Sequence, residues 1–228
     1  LCADQTAIIV KRERDKVALT VEQRKENGRR IREDNSGYKE ASTCRDFGLT
    51  QVGGSKTKVD GQHPDGSNWS IKNTKSSSTQ VHLTSQQRFI TDFGLSEGCE
   101  EFVRKFFGNT EYTDMPRHRY NIHEIFPEAV EDFKKFLDEN KETLIYYFLS
   151  GDSDITDVVY NGKHITTDNI MKQVDEAQWL VNPTAIHLKD KRGKTLFHIQ
   201  MKGSGNHAKM GYHGVLCHIH ENLFREQR

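Results

Sequence analysis

The spacing of hydrophobic positions changes several times along the chain, and each change marks an element. Residues 5–33 place Ile8, Ile9, Val17, Leu19, Val21 and Ile31 in a charged background, an imperfect helical spacing with a break near Leu19–Thr20. A short helix is predicted over 38–47, followed by a loop at the paired glycines of "QVGGSK". Two short strands come next, over 57–62 and 68–72, around a turn carrying Pro64, Asp65 and Gly66. "TKSSSTQ" reads as a polar loop, and "TSQQRFITDFGL" as a helix capped by Thr84 or Ser85.

Further helices are predicted over 100–107 and through "FPEAVEDFKKFLDENKETLIYYFLSG", the latter as two helices meeting near Asn140. "DVVYNGKHIT" is a hairpin by its Asn161-Gly162 pair. "TAIHLKDKRGKTLFHIQMKGSG" is a second, with its turn at Lys191-Arg192-Gly193. The final "YHGVLCHIHENLF" is predicted helical, burying Val215, Leu216, Ile219 and Leu223. The fold class expected is α/β (α+β), a mixed central sheet flanked by helices. No internal repeat or long linker divides the 228 residues, so one domain is expected.

Composition narrows the classes. At 34% hydrophobic and 29% charged residues the protein is polar, with no apolar run long enough to cross a bilayer and no signal-peptide pattern. Cys2, Cys44, Cys99 and Cys217 are scattered, which argues for a reducing cytoplasm rather than disulfides or structural zinc. Net charge is zero, but basic residues dominate 11–33 and 186–212 while 100–157 is acidic. Separated charge can present a positive face to a polyanion on a neutral protein.

The candidate chemistry centres on "VDG" (Val59, Asp60, Gly61) and "SIK" (Ser70, Ile71, Lys72). Residues two apart on a strand share a face, so Ser70 and Lys72 face the same way and Ile71 points into the core. This arrangement resembles the PD-(D/E)xK nuclease family: an aspartate, a hairpin, then an acidic residue and a lysine one residue apart. The resemblance covers roughly residues 38–90 and departs from the family at Ser70, where an acidic residue is usual.

The resemblance implies a restriction endonuclease-like core and a type II restriction endonuclease. Such an enzyme cuts double-stranded DNA with Mg2+, as a homodimer on a short symmetric site. It implies Asp60 as metal ligand and Lys72 beside the attacking water. Glu40, on the preceding helix, would complete the metal shell, with Ser70 as a minor ligand or supporting position and Gln80 as a second ligand candidate or a DNA contact. Arg29, Arg30, Lys56 and Lys75 would hold backbone phosphates, and Lys202, Asn206, His207 and Lys209 would read bases. The catalytic core would span about 36–95, a helical insertion 97–150, and a DNA-recognition hairpin and helix 184–225.

Asp190 with Gln200 and Lys202 forms a rival match, though an acid within the turn Lys189–Arg192 is more simply a surface residue. His207, His213, His218 and His220 read as packing, capping or DNA-contact groups. A repair or junction-resolving nuclease with the same site, and a non-catalytic nucleic-acid-binding protein with a lapsed one, are the alternatives. No membrane partner is expected.

Overall fold

The computed structural model describes residues 38–52, 58–107, 122–125, 127–182, 185–202 and 214–225. The helix expected over 5–33 lies outside them. The contact pattern divides the chain between Ser42 and Thr43, and each side is described by itself.

In chain order the elements are α1 (Tyr38–Asp46), β1 (Thr50–Gln51), β2 (Gly61–Gln62), β3 (Asn68–Lys72), β4 (Ser78–Ser85), α2 (Gln86–Phe93) and α3 (Glu97–Phe106). Then come α4 (Ile122–Ile125), α5 (Pro127–Glu139), α6 (Lys141–Ser150), β5 (Asp157–Tyr160), β6 (Lys163–Thr166) and α7 (Thr167–Asp175). The last are β7 (Gln178–Val181), β8 (Ile186–Lys189), β9 (Thr195–Lys202), β10 (Gly214–His220) and a 3-10 turn (Glu221–Phe224). The protein is therefore α/β. Among the described residues, no helix is long and apolar enough to cross a membrane.

Among the described residues two five-stranded sheets organise it, one of them the mixed sheet expected and the other an additional antiparallel one. The first, β1-β2-β3-β5-β6, is mixed: β3 and β5 run parallel, with Ser70 opposite Val158 and Lys72 opposite Tyr160, and the other pairs are antiparallel. The second, β4-β10-β9-β8-β7, is antiparallel throughout.

Local signals account for many boundaries. The Ser85 hydroxyl accepts the Arg88 N–H at the start of α2, and Gly94 ends that helix at φ 54°, a conformation glycine adopts without steric cost. Helices α5 and α6 break at Asn140, as the sequence predicts. The Asn161-Gly162 turn joins β5 to β6, both residues at positive φ.

The main core lies where α2, α3, α5 and α6 meet the inner face of the second sheet. Phe89, Phe102, Phe106, Phe133 and Phe148 pack there with Phe197, Ile199, Val215 and Ile219. Phe102 and Phe133 stack with ring centres 4.3 Å apart. A smaller cluster of Cys44, Leu49, Trp69, Ile71 and Val159 packs on the far side of the mixed sheet.

The chain end corrects an expectation. "GVLCHIH" is not a helix but β10, paired on both sides between β4 and β9. Val215, Cys217 and Ile219 are fully buried. They alternate with Leu216, His218 and His220, a period of two hidden by the apolar Leu216. The polar loop predicted at 74–80 gives way to β4 from Ser78, and β1 and β7 add strands the spacing does not reveal.

Candidate active site

The turn between β2 and β3 is short and tightly determined. Asp65 Oδ1 accepts the Ser67 N–H at 2.8 Å, and the His63 carbonyl accepts the Gly66 N–H at 2.9 Å, closing the turn. The β2–β3 ladder ends at Gly61 opposite Trp69. Asp60 then bridges both neighbours through its backbone, its N–H donating to Trp69 at 2.9 Å and its carbonyl accepting from Val52 at 3.1 Å. It lies just before β2 rather than within a strand running from 57.

With the ladder ended, the Asp60 carboxylate takes the place of a strand. Its Oδ2 accepts the Ile71 backbone N–H at 2.6 Å, the Ser70 hydroxyl at 3.2 Å and the Lys72 ammonium at 2.9 Å. Ser70 is buried, whereas the Asp60 and Lys72 side chains are 20% and 22% exposed, open enough to meet a ligand. The structure thus brings Asp60, Ser70 and Lys72 together around one oxygen. Among the described residues no hydrogen bond reaches the other oxygen, Oδ1.

Glu40 lies in the first turn of α1 and is partly exposed. It precedes the division at Ser42 and Asp60 follows it, so their sharing of one metal stays a proposal. Lys75 and Gln80 are exposed, on the loop after β3 and on β4. Lys202 ends β9, while Arg29, Arg30, Lys56, Asn206, His207, Lys209 and His213 lie outside the described residues.

The rival constellation is not assembled. Asp190 Oδ1 accepts the N–H groups of Arg192 and Lys194 at 3.0 and 2.7 Å, holding the β8–β9 turn. Thr195 faces Lys189 at that end, and Gln200 lies five residues further along β9. At strand rise that is about 17 Å.

Two features escape the spacing argument. Lys58, two residues before Asp60, sends its ammonium to the Phe148 carbonyl at 2.5 Å and meets His82 Nδ1 at 2.7 Å. Burial pushes Lys58 down to about 8, with the Lys72 charge adding to that direction. Burial and the Lys58 cation take His82 down to about 3. On the opposite face of the mixed sheet, His164 Nε2 meets Asp157 Oδ1 at 2.6 Å and stacks on Trp69 at 4.5 Å. The alternation in "KVD" was a signal for Lys58; nothing local pointed to His164.

No protein-family model and no curated protein matches the chain in sequence. Among solved structures, restriction endonuclease MspI in complex with its cognate DNA is similar at a TM-score of 0.37 and 10% identity. The similarity spans 74% of this chain and 66% of that one, just under two thirds of its length.

Proposed function

We propose that the chain is a metal-dependent endonuclease that hydrolyses phosphodiester bonds of double-stranded DNA. The observation that carries this reading is the Lys72 ammonium, 2.9 Å from Asp60 Oδ2 in a partly open position on a strand end. A cation held there is suited to orient an attacking water and to balance charge on a phosphorane. Ser70 and the Ile71 N–H fix the carboxylate so that it need not move as charge develops.

Asp60 fits a hard cation as one carboxylate ligand through Oδ1. Among the described residues, no three His, Cys, Asp or Glu side chains are grouped to hold a metal by themselves. Mg2+ commonly binds one or two carboxylates and completes its shell with substrate phosphate and water, so the donor set suits magnesium. Glu40 is the proposed second carboxylate. When bound, the ion supplies Lewis-acid polarisation of the phosphoryl oxygen. Action as a homodimer on a short symmetric sequence, in the manner of type II restriction, is the finer form of the proposal. Lys75 and Gln80 are its exposed candidate DNA contacts.

Incubation with phage DNA, with Mg2+ and separately with EDTA, tests the reading. Discrete fragments in the magnesium lane alone support it, and intact DNA across pH and divalent metals overturns it. Ser70, where the family motif has a carboxylate, favours a second reading: a DNA-binding protein with a lapsed site, recognised by retardation of DNA without cleavage.

A further inference from the structure

Two adjoining hollows of about 260 and 350 Å3 share Gln173 and Arg225 and form one groove. Helix α7 and the β8–β9 turn wall it, and the 3-10 turn supplies an apolar floor in Leu223 and Phe224. Five cations line it: Lys172, Lys191, Arg192, Lys194 and Arg225. Two carboxylates oppose them, Glu176 and Asp190. On a chain of zero net charge this is a local excess.

The carboxylates at the groove are themselves engaged. Asp190 Oδ1 takes two backbone N–H groups and stiffens the turn that carries Lys191, Arg192 and Lys194. Glu176 meets Lys191 at 3.3 Å, and Glu221 meets Arg225 at 2.8 Å. Both pairs are well exposed, and exposed pairs are weak enough to exchange for a phosphate. The hollow beside His164, Lys172 and Arg225 has no carboxylate in its lining.

Lys72 ends β3, and the loop that follows it is tied to the turn that floors the groove. Asn161 Oδ1 accepts the Thr74 N–H at 2.8 Å, and the Tyr160 hydroxyl donates to the Ser76 carbonyl at 2.9 Å. The Ser77 carbonyl accepts the Glu221 N–H at 2.9 Å. That bond joins the loop to the 3-10 turn, where Tyr160 stacks on Phe224 at 5.1 Å.

We propose that this groove carries one phosphodiester strand of duplex DNA away from the Asp60–Lys72 centre. The inference rests on the nuclease reading and adds where the backbone lies and which side chains neutralise it. Phosphate contacts fix register without reading sequence, so affinity conferred here depends on salt and not on base identity.

The test is the salt dependence of binding to a short fluorescent duplex in EDTA, between about 50 and 200 mM salt. Compared are the wild type, the triple variant Lys172→Gln/Arg192→Gln/Lys194→Gln and a control, Lys134→Gln/Lys135→Gln, on α5. Loss of three phosphate contacts lowers the slope of log affinity against log salt by about 2–3 in the triple variant alone. Thermal melting of all three proteins checks that they fold. A folded triple variant with the wild-type slope overturns the groove proposal and leaves the nuclease reading standing. A wild type that neither binds nor cuts duplex DNA overturns both.

Discussion

Lys72 Nζ lies 2.9 Å from the same Asp60 oxygen that accepts the Ile71 backbone N–H at 2.6 Å. One atom therefore serves both the strand and the ammonium, and substitutions at Asp60 separate the two roles. Asp60→Asn keeps a carbonyl for the Ile71 N–H but removes the charge. Asp60→Ala also leaves that N–H without its acceptor, at a cost of about 1–3 kcal/mol. Both variants, and Lys72→Ala, should lose DNA cleavage by about a hundredfold or more. In urea melts Asp60→Ala should be clearly less stable than Asp60→Asn. Wild-type cleavage by Asp60→Asn would remove the carboxylate from the chemistry.

Lys58 closes the C-terminal end of α6 through the Phe148 carbonyl, where helix carbonyls need donors. Lys58→Met keeps the stem and deletes the donor, so it should cost about 1–3 kcal/mol. The pH dependence has a definite sign. The folded amine sits near 8 against 10.5 for a lysine free in water, so the unfolded chain holds more protons between those values. The stability it contributes is present above pH 10.5 and is lost as pH falls through 8. The stability gap between wild type and Lys58→Met should widen from pH 8 to 10. A gap that is flat over that range would show the amine to be unperturbed.

How much of this was legible in the sequence varies from place to place. The hairpin around Pro64-Asp65-Gly66 could be read because its turn chemistry is local, and Asp60, Ser70 and Lys72 followed from the register it sets. The Asn140 break and the Asn161-Gly162 turn were legible for the same reason. β10 was not. Four of its seven residues are apolar, and periodicity alone separates a doubly paired buried strand poorly from a buried helix. The Asp157–His164–Trp69 stack depends on β5 pairing parallel to β3 across more than eighty residues, which no local pattern encodes.

Gly61 links packing to the candidate site. It is buried beside Asp60, and a Cβ there would stand 3.0 Å from Leu49 Cδ1 and 3.2 Å from Cys44 Sγ. Gly61→Ala should therefore destabilise by about 1–3 kcal/mol through overpacking and displace the Asp60 carboxylate. Leu49→Ala removes the nearest of these contacts, although Leu49 Cβ and Cys44 Sγ remain 3.2 Å from the new methyl. The double variant should accordingly be more stable than the sum of the single losses allows. Strict additivity in denaturant melts would mean that Leu49 does not set the close approach.

The second sheet carries a row of imidazoles whose charge state should govern stability in acid. His187, His198 and His218 lie directly opposite one another on β8, β9 and β10, and His198 Nδ1 meets His220 Nε2 at 2.6 Å. A contact that short holds one N–H between the two rings, and charging both rings would set two cations against each other. Burial first, then the neighbouring imidazoles, lower His198 to about 3 and His220 to about 4. Lys189 adds to the lowering at His187, while Glu221 opposes it at His220. Folded-state values below the unfolded 6.5 mean that this stability is present above pH 6.5. It is lost as pH falls through 6.5 toward 4, because the unfolded chain takes up the protons first. The melting temperature should decline over that window, and His198→Phe/His220→Phe should flatten the decline. His82, lowered to about 3 beside Lys58, titrates in the same window and is unchanged in the double variant, so a residual slope remains. A double variant as acid-sensitive as the wild type would assign the whole effect to His82, His187 and the carboxylates.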